Sequence, residues 1–184
     1  HKSIRNNFIE EVYEAVEAID TDNKELLTEE LGDVLLQVVF HARVSEEAGD
    51  FDIGDVADGI CKKLIHRHPH VFGDVKVKDS AEVLFNWGEI KKKEKHQTTP
   101  AKELDDVARS LPSLMRTQKI IKRGKKAGVI SADMDTAAEG LSKAVYALGE
   151  NRANPDKKVL ADLLYFSCMA LQCAGEDGEQ LLYD

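Results

Sequence analysis

The sequence predicts an all-α protein made of two tandem helical bundles, the second a degenerate copy of the first, and three observations carry that prediction. Apolar residues recur at helical spacing over long stretches, as in Leu31, Val34, Leu35 and Val38. Only 12 Gly and 4 Pro interrupt 184 residues, which is few for an all-β chain. The chain also matches itself at a shift of 129 residues without a gap. Val12, Ala15, Val16 and Ile19 fall on Leu141, Ala144, Val145 and Leu148, and Leu31, Val34 and Leu35 fall on Leu160, Leu163 and Leu164.

The first helix carries Glu10, Glu11 and Glu14, and the second carries Glu30 and Asp33. No basic residue stands at helical spacing from these five. Between the helices, Asp20, Asp22 and Asn23 favour turns and caps, so the chain folds back as a hairpin that pivots near Asp22. That pivot sets Glu14 opposite Glu30 and Glu11 opposite Asp33. Within each helix the two acids are three residues apart, hence on one face with an axial offset of roughly 4.5 Å. Packed helices lie roughly 8–10 Å apart. Four anions converging across that gap repel one another unless a cation sits between them, and all-oxygen donors suit Mg²⁺ or Mn²⁺.

A solvated acidic face is the competing reading, and the second helix weighs against it. Leu31, Val34, Leu35, Leu36, Val38, Val39 and Phe40 cover most of its circumference, leaving Glu30, Asp33, Gln37 and His41 as one polar stripe. A polar stripe on a helix buried on several sides faces a cavity, a partner or an ion, because isolated charge is too costly there. One hairpin cannot cover such a helix. A second hairpin is needed, from another chain in a homodimer or from the later copy.

After a loop at Gly49 to Asp52, Asp52 or Asp55 caps a third helix with Ile53, Val56, Ile60 and Leu64 at helical spacing. Lys62, Lys63, His66 and Arg67 complement its C-terminal dipole, and the helix stops before Pro69. The three histidines of His66-Arg-His-Pro-His70 span a proline, so they are not a helical ligand pair, and a structural or phosphate-contacting turn fits better than zinc. Asp79-Ser-Ala-Glu82 resembles a capping box and opens a fourth helix with Val83, Leu84, Trp87 and Ile90 inward. That helix ends in Lys91-Lys-Lys-Glu-Lys95, a solvated end on its own, but a set of polyphosphate partners with Arg67 when beside four carboxylates. Trp87 reads as core, with stacking on a base as the alternative.

Residues 96–104 read as a polar linker between a catalytic domain at 1–95 and a degenerate one at 105–184. In the second copy Glu10 and Asp33 correspond to Glu139 and Asp162, whereas Glu11, Glu14 and Glu30 become Gly140, Lys143 and Val159. The apolar frame is kept and the square of charge is not.

A net charge of −9 argues against nucleic-acid binding by the surface as a whole. Cys61, Cys168 and Cys173 form no CxxC pair, which suggests neither a disulfide framework nor a zinc site. With no signal peptide and no membrane-length apolar run, the expected location is cytoplasmic, with no membrane partner. The abrupt ends read as cut from something longer.

These residues resemble the MazG family of nucleoside triphosphate pyrophosphohydrolases. The family pattern is Glu-Glu-x-x-Glu, a spacer, then Glu-x-x-Asp. Here it reads Glu10-Glu-Val-Tyr-Glu14, fifteen residues, and Glu30-Leu-Gly-Asp33. The stretches Glu29 to Ala42 and His66 to Gly73 are similar to the family's wording, as is Leu111 to Lys119 for its inter-copy segment. The family's Cys-Pro-Trp-Asp segment before the first helix is absent, and the second copy stops before its own basic helices.

The resemblance implies hydrolysis of a nucleoside triphosphate between the α and β phosphates, with Mg²⁺ and in a homodimer. Carried over by motif position, Glu11, Glu14, Glu30 and Asp33 are the metal ligands. Glu10 and Glu29 flank them, and one carboxylate orients or deprotonates the attacking water. Lys63 and Arg67 match positions near the phosphates, Lys91 belongs with the phosphate-facing lysines, and Trp87 matches a position near the base. Two rivals remain. A carboxylate-bridged di-iron bundle lacks its Glu-x-x-His pairs here, and a helical oligomerisation or regulatory module would carry the acids as vestiges.

Overall fold

Several helix boundaries fall at side-chain caps. In the computed structural model, which describes residues 1–96 and 99–183, a 3-10 turn at Lys2–Ile4 leads into α1 (Arg5–Asp20). Asp22 takes a left-handed φ of 49° in the reversal, and the Asn23 side chain accepts from the Leu26 N–H at 3.1 Å to open α2 (Lys24–Ala48). Gly49, with φ 78°, ends α2 in the left-handed conformation that suits a residue without Cβ. Asp52 and Asp55 both act at the start of α3 (Ile53–Arg67), in a reciprocal capping box.

Two local details differ from the sequence expectation. The turn expected at His68 to Gly73 contains one short helix, α4 (Pro69–Phe72), because Pro69 at its first position needs no hydrogen-bond donor there. At α5 (Ser80–Glu94) the capping box is displaced by one residue. Asp79 accepts from the Glu82 N–H at 2.9 Å, but the Glu82 carboxylate reaches back to the N–H of Lys78 at 2.8 Å, not to that of Asp79. Of the four residues expected inward on α5, Val83, Trp87 and Ile90 are half-buried and Leu84 is exposed.

The remaining helices are α6 (Pro100–Asp105), α7 (Ser113–Lys126), α8 (Met134–Glu150), α9 (Lys157–Ala174) and α10 (Gly178–Tyr183). No strand occurs among the described residues. α6 occupies part of the stretch read as a linker, with Thr99 as its cap; Gln97 and Thr98 lie outside the described residues. The chain divides into two compact units, His1–Trp87 and Gly88–Asp184, and the division falls within α5. Among the described residues no helix is long and apolar enough to cross a membrane.

The two units are packed differently. In the first, α1 lies along α2, and its buried residues are mostly small: Ala15, Ala18, Ala42 and Ser45. Many of its large apolar residues are exposed. Leu31, Leu35, Leu36 and Phe40 are each more than half exposed, and Ile53, Val56, Ile60 and Leu64 of α3 are exposed as well.

The second unit has its own core of Ile121, Ala132, Ala137, Cys168 and Met169. Here α8 and α9 form a hairpin, and α7 packs on α9. The buried Gln118 ties α7 to the start of α10, donating to the carbonyl of Glu176 at 2.7 Å and accepting from the Gly178 N–H at 2.9 Å. The Glu179 carboxylate accepts from the Leu114 N–H at 3.1 Å, satisfying a free donor in the first turn of α7.

Within the second hairpin, Gly140 lets the ring of Phe166 lie against the α8 backbone. A methyl group at Gly140 would stand 2.4 Å from two ring carbons. Gly140→Ala is therefore expected to lower stability by about 1–2 kcal/mol, overpacking outweighing the better helix propensity of Ala. Thermal or urea denaturation of the purified variant checks this; an unchanged or raised midpoint would show that the ring can give way.

Candidate active site

The α1–α2 hairpin brings Glu11, Glu14 and Glu30 together. One carboxylate oxygen from each lies within 4.8 Å of those of the other two, and this is the only such trio of candidate ligands among the described residues. Glu30 is buried, Glu11 half-buried and Glu14 exposed. Both helices contribute, so the trio exists only because the chain reverses at Thr21 to Asn23.

The electrostatics match the geometry. Partial loss of hydration comes first, then the carboxylates of Glu30, Glu11 and Glu10, and all push the Glu14 carboxyl above its ordinary value. Burial followed by the charges of Asp33, Glu29 and Glu11 does the same to Glu30. Each of these influences disfavours the charged form, which a cation held between the oxygens would favour. The donors are hard oxygens from separate helices, the set that a hard divalent cation takes.

Of the four ligands expected from the sequence, Asp33 stands outside the converging trio. It is half-buried one turn along α2 from Glu30, and its charge acts on Glu30. Glu11 pairs across the hairpin with Gln37, whose Nε2 donates to the Glu11 carboxylate at 3.2 Å. Gln37 had been assigned to the polar stripe without a partner. Its place two turns beyond Glu30 on that stripe was the available signal. Glu10 and Glu29 are exposed beside the trio, close enough for their charges to act on Glu14 and Glu30 respectively.

The expected substrate residues are more spread out. Arg67, the buried last residue of α3, has its guanidinium carbon 5.4 Å from the centre of the Trp87 ring. Lys63 is exposed one turn earlier on α3. Lys91 is half-buried on α5 and belongs to the second compact unit. Of the three histidines, His68 is bonded through Nδ1 to the Leu64 carbonyl at 2.8 Å, and its ring lies 5.7 Å from that of His70.

Comparison with known proteins adds a family to this geometry. Residues 1–72 match the family model described as the MazG nucleotide pyrophosphohydrolase domain. The chain is 39% identical over 163 residues to a nucleoside triphosphate pyrophosphohydrolase of Escherichia coli K12, covering 85% of this chain and 62% of that protein. It is 36% identical over 166 residues to the Thermotoga maritima nucleoside triphosphate pyrophosphohydrolase/pyrophosphatase MazG, covering 90% and 63%. An uncharacterized Bacillus subtilis protein, YabN, is 50% identical over 122 residues, covering 66% and 25%. The chain thus spans between a quarter and somewhat under two thirds of the length of these relatives.

Proposed function

Because this chain belongs, through residues 1–72, to the MazG nucleotide pyrophosphohydrolase family, we propose that it hydrolyses nucleoside triphosphates between the α and β phosphates, giving monophosphate and pyrophosphate. The observation that carries this reading is the convergence of Glu11, Glu14 and Glu30 within 4.8 Å on two facing helices. These three would hold Mg²⁺, with Mn²⁺ as a substitute, and Asp33 would complete the set on substrate binding. The metal would supply Lewis acidity to the phosphate oxygens and the attacking water.

The chain's own side chains do the rest. Gln37 fixes the orientation of the Glu11 carboxylate through its hydrogen bond. One of the two exposed carboxylates beside the trio, Glu10 or Glu29, orients the attacking water and takes its proton. Lys63 neutralises phosphate charge, while Arg67, held against Trp87, does so from a fixed position. Trp87 also offers an apolar face to the base.

We also read the second hairpin as a degenerate copy. The shift of 129 residues places the first residue of α8, Met134, on the first residue of α1, Arg5, and buried Ala144 on buried Ala15. The uncovered apolar residues of α1 and α2 support a homodimer in which two first hairpins cover each other.

Pyrophosphate release from a mixture of nucleoside triphosphates, with Mg²⁺ and then with EDTA, tests the assignment. Metal-dependent release of pyrophosphate with one monophosphate per turnover is expected. Release of single phosphates, or no turnover with any triphosphate, would favour the alternative of a non-catalytic regulatory module.

A further inference from the structure

The second hairpin holds a cavity of about 400 Å³ between α8 and α9, within the size range of pockets that enclose small organic ligands. Its wall includes Glu139, Lys143, Lys158 and Asp162, and its apolar floor includes Val159 and Phe166. Shifted by 129 residues these fall on Glu10, Glu14, Glu29, Asp33, Glu30 and Gln37. The cavity therefore occupies, on its own hairpin, the place that the acidic trio occupies on the first.

Its charge is balanced. Where the first hairpin has five carboxylates at these positions, the second has two carboxylates and two ammonium groups. Lys143 reaches Glu139 at 2.6 Å and Lys158 reaches Asp162 at 3.5 Å, each one turn away on its own helix. Both pairs are largely exposed, and exposed pairs of this kind contribute little, so either lysine can turn to a stronger anion at small cost. Phe166 lies against Gly140, where Glu11 stands in the first hairpin, so apolar surface replaces a carboxylate.

We propose that this cavity binds a nucleoside monophosphate without metal, the phosphate between Lys143 and Lys158 and the base on the floor made by Val159 and Phe166. The two ammonium groups can both donate to a phosphomonoester dianion once turned from Glu139 and Asp162. A triphosphate would bring more charge than they neutralise, and Val159 stands where a metal ligand would have to be. The choice of a nucleotide as the phosphoester rests on the function proposed above; the cavity's preference for an anion with an apolar body does not.

Calorimetric titration of the full chain in EDTA tests this, using each of the four ribonucleoside monophosphates, the matching nucleosides and inorganic phosphate. One equivalent of at least one monophosphate is expected to bind. Its nucleoside and inorganic phosphate should bind at least tenfold more weakly. The doubly substituted Lys143→Glu, Lys158→Glu chain should lose at least tenfold in affinity while its Mg²⁺-dependent pyrophosphate release stays unchanged. The corresponding double Gln substitution, which adds no negative charge beside Glu139 and Asp162, should show the same loss if the first variant folds poorly.

No binding of any monophosphate, equal binding of inorganic phosphate, or unchanged affinity in the lysine variants would overturn the proposal. Metal-free binding as described in a chain that releases no pyrophosphate would reject the catalytic reading and leave the anion site standing. The reverse result would reject only the site.

Discussion

Replacing Glu30 by Gln is expected to reduce pyrophosphate release by roughly a hundredfold or more, a loss on the scale of removing one group from a preorganised electrostatic site. It should do so without lowering the melting temperature of the metal-free protein. Glu30 is the buried member of the trio, so it is least able to be replaced by water. It is also a carboxylate whose neighbours, Asp33, Glu29 and Glu11, push its pKa upward.

The pH dependence follows from that direction. A carboxyl raised in the fold binds its proton more tightly in the native state than in the unfolded one. Metal-free stability therefore falls as pH rises from the ordinary value of 4.5 through the raised folded value, and stays lower at neutral pH. Glu30→Gln should flatten this fall, and Mg²⁺ should reverse it in the wild type but far less in the variant. Melting curves between about pH 4 and pH 8, with EDTA and with Mg²⁺, measure both effects. A wild type indifferent to Mg²⁺, together with a variant of normal turnover, would remove the metal-site assignment.

Leu35→Asp should have an equally large effect of a different kind. Leu35 is 60% exposed, and Leu31, Leu36 and Phe40 of the same helix are each more than half exposed as well. Burying a leucine contributes about 1.5–3 kcal/mol, and a two-fold interface counts each position twice. The substitution should thus weaken association roughly a hundredfold to ten-thousandfold. Light scattering at tens of micromolar should show dimers for the wild type and monomers for the variant. A wild type that is monomeric there would overturn the dimer.

The parts of this molecule that are legible in the sequence are those fixed by short-range chemistry. The cap at Asn23, the start of α3 at Asp52 or Asp55, and the stop before Pro69 each depend on a few neighbouring residues. The convergence of Glu14 and Glu30 was legible too, because equal distance from a tight reversal fixes axial level. Farther from the turn that arithmetic weakens. Glu11 accepts from Gln37 and lies beside Glu30, and Asp33, the residue at its own level by that arithmetic, stays outside the trio.

Side-chain reach was similarly illegible. Nothing in Asp79 to Glu82 says that the Glu82 carboxylate will pass Asp79 and take the N–H of Lys78. The outward face of α3 misleads in another way. Its spacing identified an apolar stripe correctly, but a period cannot say whether the surface that covers the stripe is part of the same chain.

The contact between Phe166 and Gly140 also constrains the order in which this sequence can change. Gly140→Glu, made first, would drive a side chain into the space of the ring, which a Cβ alone already approaches to 2.4 Å. Phe166→Gln, made first, would remove ring packing with no carboxylate yet present to accept from the new amide. Each single step is unfavourable and only the pair is compatible. An acidic site at the second hairpin therefore cannot be built one neutral substitution at a time.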